Sequence, residues 1–323
     1  MGAHAPSADR EATAEARRPV LIAGPTAVGK SAVALALAER LNGEIVSVDS
    51  MQVYRGLDVG SAKPSALDRR RVTHHLIDVV EINERFDAAQ FTRLARSSVN
   101  DIRQRGRVPI LCGGTGLYFK AFLEGLGETP AGDAALRGEL EATPAAELLR
   151  ELELRDPATF AWIDRKNRRR VIRALEVIRL TGRPFSAQRA AWGREDGIRG
   201  RKHFFFGLAR SNSDLGGRID ARVEAMFADG LVRETEQLLE RGLADNQTPM
   251  QAIGYRQVVE HLRGDRSLAE TIALVKQRTR QFAKRQMTWF RRQFDLEWVT
   301  LEPKTDAVEV AQRILRSSDF NRG

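Results

Sequence analysis

The amino-acid sequence predicts an α/β fold, in which a parallel sheet is flanked by helices and an all-helical domain is inserted into the chain. Through the first 125 residues, short apolar runs alternate with amphipathic stretches, which is typical of βαβ units. A glycine-rich loop follows the first of these runs. From about Pro130 to Lys202, apolar residues recur only with helical spacing, which indicates the insert.

The apolar runs predict six strands, namely Val20–Ala23, Ile45–Val48, Leu76–Val80, Val108–Cys112, His203–Leu208 and Glu297–Leu301. The clearest helices between them are Ser31–Leu41 and Ala88–Arg105, and Gly182 followed by Pro184 ends a helix of the insert. We therefore predict a core of residues 19–130 plus 203–305 and a helical insert of residues 131–202. Residues 1–18 are predicted to be a disordered tail, and residues 306–323 a C-terminal helix or tail.

The charge balance indicates a polyanionic partner. The 323 residues carry a net charge of +9 at pH 7, which favours RNA or DNA over a membrane, although a solvated basic surface also explains it. The single cysteine, Cys112, excludes an internal disulfide and zinc sites built on several cysteines. Because there is no apolar run of about 18 residues and no secretory signal, we expect a cytoplasmic protein without membrane contact. We also expect a monomer.

The loop at residues 24–31 matches the GxxxxGK[ST] pattern of phosphate-binding loops and predicts a P-loop NTPase-like core. The predicted phosphate-binding residues are Gly24, Pro25, Thr26, Ala27, Val28, Gly29, Lys30 and Ser31. The loop stands between a strand and a helix, where backbone amides and the helix N-terminus attract phosphate. Lys30 adds a full positive charge, and the Ser31 hydroxyl is a candidate Mg²⁺ ligand. The pattern indicates a di- or triphosphate without saying whether a phosphate is transferred.

A second block, at residues 49–64, is not needed by a plain P-loop kinase. It reads DSMQVYRGLDVGSAKP and resembles the DSxQxY…(M/L)D(I/V)G(T/S)AKP signature of tRNA dimethylallyltransferases. The resemblance continues in the family's order through HHLID at 74–78, FDAAQF at 86–91, GGTGLY at 113–118, RALE at 173–176, AIGYRQ at 252–257 and AKRQMTWFR at 283–291. The cysteine and histidine zinc finger of eukaryotic members is absent from the sequence, so the chain resembles the bacterial type.

This resemblance implies transfer of a dimethylallyl group from dimethylallyl diphosphate to the N6 amine of the adenosine 3′-adjacent to a tRNA anticodon. It assigns Asp49 as the general base. Asp49 follows the second predicted strand, where α/β sheets bind ligands, but an aspartate there can also cap the next segment or hold Mg²⁺ through water. Thr115, in a second glycine-rich turn, is a further catalytic candidate, because preorganised donors stabilise the charge that develops on a leaving diphosphate. The resemblance also places Arg222 on the diphosphate, although Arg218 and Arg222, four residues apart on one helix face, can also be a solvated face.

Two basic segments are candidate tRNA-binding surfaces. Residues 165–170, RKNRRR, open a predicted helix of the insert, and residues 276–292 contain no acidic residue. Lys276, Arg280 and Lys284 recur at four-residue spacing and predict one basic stripe, unopposed by acids. With the resemblance, these patterns predict the following tRNA-binding residues: Asp49, Ser50, Met51, Gln52, Thr115, Arg137, Arg169, Arg170, Val171, Ile172, Arg173, Gln251, Ala252, Ile253, Gly254, Tyr255, Arg256, Lys284, Arg285, Gln286, Met287, Thr288, Trp289, Phe290 and Arg291.

Three other functions are compatible with parts of the sequence. A P-loop kinase accounts for residues 24–31 but not for the block at 49–64 or the basic segments. A related adenylate isopentenyltransferase modifies free nucleotides and has no need of the basic segments. A non-catalytic RNA-binding P-loop protein binds RNA without releasing diphosphate. Transfer of labelled γ-phosphate, modification of free AMP and release of diphosphate distinguish these functions.

Overall fold

The computed structural model describes residues 18–127, 129–188 and 204–317. The described residues fall into two units, one within residues 1–122 and 201–323 and the other within residues 123–200. The predicted tail at 1–18, except for Arg18, lies outside the described residues, as do His203 at the start of the fifth predicted strand and positions 318–323. Among the helices of the described residues, none has the length and apolar character needed to cross a membrane.

The first unit is built on a six-stranded sheet with the order β3-β2-β4-β1-β5-β6. Its strands are β1 (Val20–Ala23), β2 (Gly43–Val48), β3 (His74–His75), β4 (Val108–Gly113), β5 (Phe204–Ala209) and β6 (Glu297–Thr300). All neighbouring strands are parallel. Every residue of β1, β2 and β4 is buried, as the central strands of a parallel sheet covered on both faces require. The predicted α/β, P-loop-like fold class is confirmed.

Fifteen α-helices accompany the sheet in the described residues. In chain order they are α1 (Lys30–Leu41), α2 (Ala66–Arg71), α3 (Ala88–Gln104), α4 (Gly116–Glu124), α5 (Ala134–Ala142), α6 (Ala145–Arg155), α7 (Pro157–Trp162), α8 (Arg168–Thr181), α9 (Phe185–Gln188), α10 (Asn212–Ala228), α11 (Leu231–Glu240), α12 (Gln247–Met250), α13 (Tyr255–Leu262), α14 (Leu268–Gln293) and α15 (Ala307–Leu315). A capping box of Ser267 and Glu270 begins α14, because each side chain accepts an amide hydrogen that the first turn leaves unpaired.

The second unit contains only helices within its described residues. Helices α5 to α8 surround an apolar cluster that includes Leu140, Leu148, Leu152 and Leu175. Gly182 ends α8 in the left-handed conformation, with φ of 68°, as its sequence position predicted. The predicted insert at 131–202 can be compared with this unit only up to residue 188, because positions 189–202 lie outside the described residues.

The predicted strand Leu76–Val80 is wrong. Only His74–His75 pair with β2, and the chain then bends through Leu76 and Asp78, whose φ angles are 61° and 57°. The Asp78 carboxylate forms ion pairs with Lys63 and Arg69, which stabilise the bend. Val80 keeps only an isolated bridge to Tyr54. Of the apolar residues in this segment, only Leu76 is buried and Val79 is exposed, so the segment is an irregular loop rather than a strand.

Candidate active site

The order of the strands brings three loops together at one edge of the sheet. β2, β4 and β1 are neighbours, so the loops after their carboxyl ends lie side by side. Gly113 permits this approach, because a Cβ atom there would lie 2.0 Å from the carbonyl oxygen of Val48. The amide of Thr115 donates to that same oxygen at 3.2 Å. The adjacent Ser50 amide donates to the Thr115 hydroxyl oxygen at 3.1 Å.

The phosphate-binding loop, defined as residues 24–31, has the backbone that an anion site requires. Ala27 lies in the left-handed region with φ of 62°, and the Arg218 side chain donates to its carbonyl oxygen at 2.9 Å. A non-glycine residue in this conformation is strained, and such strain concentrates at functional sites. Within the described part of the chain, the amides of Gly29, Lys30 and Ser31 have no hydrogen-bond acceptor. They are therefore available to a bound phosphate at the start of α1.

Lys30 is held beneath the loop by a hydrogen bond from its ammonium group to the carbonyl oxygen of Pro25 at 2.7 Å. The pKa of Lys30 is lowered to about 8, mainly by burial and also by the charge of Arg222, while Cys112 and Asp49 act in the opposite direction. A buried ammonium group without a full counter-charge favours the arrival of an anion. The site is thus electrostatically prepared for phosphate.

Arg218 and Arg222 are four residues apart in α10, so they project from the same face of this helix. Both line a cavity of about 360 Å³ whose other walls include Gly29, Lys30 and Ser31. Burial lowers the pKa of Arg222, and the charge of Asp49 opposes this shift. Among the described residues, the Arg222 guanidinium has no hydrogen-bond or ion-pair partner. It is therefore free to bind an anion in the cavity.

The two carboxylate oxygens of Asp49 have different environments. Its Oδ1 atom accepts hydrogen bonds from the amides of Met51 at 2.8 Å and Gln52 at 3.3 Å, so it caps the segment that follows β2. Its Oδ2 atom accepts no hydrogen bond from the described residues. The capping and general-base hypotheses are therefore compatible, because each uses a different oxygen.

The block at residues 49–64 is held in place by contacts that its sequence does not reveal. The Gln52 amide group donates to the carbonyl oxygens of Ser61 and Ala62. The Glu234 carboxylate on α11 accepts hydrogen bonds from the amides at positions 58, 59 and 60. The Tyr255 hydroxyl donates to Glu234 at 2.5 Å. These contacts make α11 and α13 the support for this loop.

Sequence reasoning also missed the internal role of Gln286. Its Oε1 atom accepts from the amide of Thr26 at 2.9 Å, and its Nε2 atom donates to the carbonyl oxygen of Gly114 at 2.8 Å. Gln286 is only 8% exposed. The family motif at 283–291 includes Gln286 as a tRNA-binding candidate but does not report these contacts, because its partners lie 260 and 172 residues away along the chain.

Comparison with known proteins identifies the relatives of this site. Residues 52–293 match the family model described as IPP transferase. The chain belongs to the IPP transferase family. Two relatives are similar along most of their length. The tRNA dimethylallyltransferase 2 of Geotalea uraniireducens is 45% identical over 284 residues, which cover 87% of this chain and 91% of the relative. The tRNA dimethylallyltransferase of Geobacter metallireducens is 46% identical over 299 residues, covering 91% and 96%.

Solved structures give the same family. The full-length tRNA isopentenylpyrophosphate transferase of Bacillus halodurans is 38% identical with a TM-score of 0.68, and the match covers 95% of this chain and 97% of that one. A eukaryotic dimethylallyltransferase, described as acting on tRNA, is 27% identical with a TM-score of 0.75, covering 92% and 78%. The expected family resemblance is therefore confirmed.

The tRNA-binding residues predicted in the first unit of this IPP transferase family member differ widely in exposure. The exposed ones are Gln251, Arg256, Lys284, Arg285, Thr288 and Arg291. Those partly exposed are Asp49, Ser50, Met51, Gln52, Thr115, Ile253, Met287 and Trp289. The buried ones are Ala252, Gly254, Tyr255, Gln286 and Phe290. The buried side chains support the surface from beneath, so the prediction of tRNA contact applies to the segments that contain them.

Ion pairs with a neighbouring helix correct the prediction of a basic stripe on α14. The Lys276 ammonium forms an ion pair with Glu224 at 2.5 Å, and Arg280 forms one with Asp220. Both acids belong to α10, so the expectation that the stripe is unopposed by acids is wrong for these two positions. Lys284 is exposed and has no ion-pair partner among the described residues. Of the three residues of the stripe, Lys284 is therefore the one whose charge is free within the described part of the chain.

The predicted residues of the second unit fall into two groups. Arg169 and Arg170 are exposed in the first turn of α8. Arg137 and Arg173 instead each donate to the carboxylate of Glu176 at 2.6 Å, and that glutamate is 0% exposed. Val171 and Ile172 belong to the apolar cluster of the unit and are buried. Exposed positive charge in this part of the prediction is thus concentrated at Arg169 and Arg170.

Proposed function

We propose that this member of the IPP transferase family transfers a dimethylallyl group from dimethylallyl diphosphate to the N6 amine of the adenosine 3′-adjacent to the anticodon in tRNA. The observation that carries the proposal is the placement of the Asp49 carboxylate near a phosphate-binding loop, at the ends of β2 and β1, which are separated in the sheet only by β4. The relatives named tRNA dimethylallyltransferase and the eukaryotic enzyme described as acting on tRNA support the same substrates.

The diphosphate group is bound by residues of the phosphate-binding loop and α10. The free amides of Gly29, Lys30 and Ser31 donate hydrogen bonds to its oxygens, and Lys30 and Arg222, which both line the cavity, contribute positive charge. Arg218 acts indirectly, because its hydrogen bond to Ala27 fixes the loop. These interactions strengthen as the leaving group gathers charge.

The oxygen ligands that the site offers fit a Mg²⁺ ion that is bound together with diphosphate. Within the described residues, no group of three or more histidine, cysteine, aspartate or glutamate side chains is arranged to hold a metal ion. Mg²⁺ bound with phosphates usually needs only one or two protein oxygens and keeps several waters. The exposed Ser31 hydroxyl on the cavity wall provides one such oxygen, and Asp49 can interact through water. When bound, the ion neutralises part of the diphosphate charge.

The transfer joins the adenine N6 nitrogen to the allylic C1 carbon while the C1–O bond to diphosphate breaks. The bonding electrons leave with the diphosphate, and the amine proton passes to the free Oδ2 atom of Asp49. A positioned base of this kind contributes about 10²–10⁴-fold. The Thr115 oxygen already accepts the Ser50 amide, so its hydroxyl hydrogen can be donated to the departing diphosphate. The adenine reaches the crevice only after leaving its stack in the anticodon loop.

The test is nucleoside analysis of tRNA after incubation with dimethylallyl diphosphate and Mg²⁺. We expect N6-(dimethylallyl)adenosine and one diphosphate per modified nucleoside, and we expect a minimal anticodon stem-loop to be a substrate. Equal modification of free AMP indicates a nucleotide-modifying enzyme instead. Transfer of γ-phosphate from ATP indicates a kinase, and RNA binding without diphosphate release indicates a non-catalytic protein. Each of these outcomes contradicts the proposal.

A further inference from the structure

The Gln286 side chain directly connects the two loops on either side of the candidate reaction site. Its Oε1 atom accepts a hydrogen bond from the amide of Thr26 in the phosphate-binding loop, and its Nε2 atom donates one to the carbonyl oxygen of Gly114 in the turn after β4. The two bonds are 2.9 Å and 2.8 Å long, which is normal for N–H···O hydrogen bonds. One planar amide therefore sets the separation of these two backbone segments.

The connection extends from Gly114 to the candidate base. Thr115, the next residue, accepts the amide of Ser50 through its hydroxyl oxygen. Ser50 directly follows Asp49, whose Oδ1 atom is fixed by the amides of the next turn. A continuous series of short hydrogen bonds and peptide bonds therefore runs from the diphosphate-binding side of the site to the proton-accepting side.

A second contact of α14 with the same turn makes this arrangement rigid. The Trp289 ring covers Gly116 so closely that a Cβ atom at Gly116 would lie 2.1 Å from a ring carbon. Phe290, the following residue, is fully buried and packs edge-on against Phe119 of α4. Because α14 is anchored by this packing, the Gln286 amide is held in one place and can act as a fixed spacer.

We propose that Gln286 is a positioning residue that holds the bound diphosphate at the correct distance from Asp49 and Thr115, an inference that rests on the proposed function. Gln286 acts through backbone groups and touches neither substrate. Reaction requires the attacking and accepting atoms to be about 3–3.5 Å apart, and a misplacement of about 1 Å can cost about 10²-fold in rate. Loss of the spacer therefore lowers kcat, while the phosphate-binding groups keep KM nearly unchanged.

The first variant is Gln286→Met, which preserves shape and removes both hydrogen bonds. We expect kcat to fall by about 10-fold to 10²-fold, with KM for dimethylallyl diphosphate changed by less than about threefold, because transition-state positioning is lost and ground-state binding is kept. The matched control is Gln312→Met on α15, where the side chain is exposed and belongs to no proposed diphosphate or tRNA site, and it should behave as wild type. Thermal unfolding of both variants verifies that the protein is folded.

The second variant, Gln286→Glu, separates positioning from general stability. An ionised glutamate accepts the Thr26 amide but cannot donate to Gly114, whereas a protonated glutamate has one donor and one acceptor and reproduces both bonds. We expect the ratio of kcat for Gln286→Glu to wild-type kcat to rise as the pH is lowered. This variant also serves as the test if Gln286→Met fails to fold.

The possible failures are distinguishable. A wild-type protein without transferase activity on tRNA refutes the proposed function, on which this role depends. If the wild-type protein is active and the folded Gln286→Met variant has the same kcat as wild type, the positioning role alone is refuted. A kcat ratio for Gln286→Glu that does not change with pH also refutes it, because the role requires a donor to Gly114.

Discussion

The hydroxyl oxygen of Thr115 accepts a hydrogen bond from the backbone amide of Ser50 at 3.1 Å. The same hydroxyl group can donate its hydrogen to a diphosphate, so one side chain links the segment of the candidate base to the leaving group. Thr115→Val keeps the shape and loses both interactions. We expect kcat to fall by about 10²-fold or more, as for the loss of one oxyanion donor. Thr115→Ser keeps the hydroxyl and should retain most of the activity, and equal losses in both variants would contradict this role.

Two substitutions at Asp49 distinguish its role as a cap from its role as a general base. Asp49→Asn keeps the Oδ1 acceptor for the amides of Met51 and Gln52 and removes only the basic oxygen. We expect kcat to fall by about 10²-fold or more, with tRNA affinity nearly unchanged. Asp49→Ala also removes the cap and should additionally lower the melting temperature. If Asp49→Asn weakens tRNA binding while single-turnover chemistry survives, Asp49 positions the tRNA instead.

Lys30 makes diphosphate binding sensitive to alkaline pH. Because burial lowers the pKa of Lys30 to about 8, the free protein loses this charge above that pH. A bound anion favours the charged ammonium and raises its pKa, so affinity is highest below pH 8 and falls by up to about tenfold per pH unit above it. Titrations with dimethylallyl diphosphate at several pH values measure this decline.

Substitutions at Lys30 supply the controls for that titration. Arginine remains charged throughout this pH range, so Lys30→Arg should bind with a flatter pH dependence. Lys30→Ala should abolish transfer while its far-UV circular dichroism matches wild type. An identical alkaline decline in Lys30→Arg would assign the effect to another group, and wild-type turnover by Lys30→Ala would remove Lys30 from the mechanism.

Arg222 is expected to stabilise the leaving diphosphate. Its guanidinium lines the cavity of the phosphate-binding loop and has no partner within the described residues. Arg222→Gln should lower kcat/KM for dimethylallyl diphosphate by about 10²–10³-fold. The matched control is Arg233→Gln, at an exposed arginine of α11, which should have no effect. A similar small change in both variants would show that Arg222 is only a solvated charge.

The exposed end of α14 is expected to bind tRNA phosphates. Lys284 and Arg285 are exposed, whereas Lys276 is engaged by Glu224. Replacing Lys284 and Arg285 together by glutamate should weaken tRNA binding and reduce the slope of log affinity against log salt by roughly 0.7–0.9 for each lost phosphate contact. The control Arg263→Glu reverses an exposed charge just after α13. An unchanged slope in the folded double variant would direct the search to Arg169 and Arg170.

Local patterns predicted the central strands well and the third strand poorly. β1 and β4 are mostly apolar because both faces of the sheet are covered, whereas β2 also buries Glu44 and Ser47. The apolar stretches of these strands are visible in the sequence. The segment after His75 is equally apolar, but it bends because Asp78 is held by Lys63 and Arg69. Those partners lie in a loop and a helix that precede it, so no local pattern reports the bend.

The candidate site was predictable where one motif carries the chemistry and unpredictable where contacts are distant. The phosphate-binding loop was found from its GxxxxGK[ST] pattern after a predicted strand, and Asp49 was assigned as the base by the family resemblance, with its position after the second predicted strand in support. The pairing of Lys276 with Glu224 and of Arg173 with Glu176 changes the meaning of charges that looked free in the sequence. The family motif at 283–291 marks Gln286 only as a tRNA-binding candidate, because its bonds to two loops exist only when α14 meets segments from the first half of the chain.

Cys112 makes the chain suitable for site-specific labelling. It is the single cysteine of the sequence, it is buried in β4, and burial raises the pKa of its thiol to about 11. Alkylating reagents attack the thiolate, so at neutral pH they should leave Cys112 unmodified. A cysteine introduced by Thr288→Cys on the exposed face of α14 would then be the preferred attachment point for a fluorophore. Docking of RNA could be followed by fluorescence in a protein that keeps its native thiol.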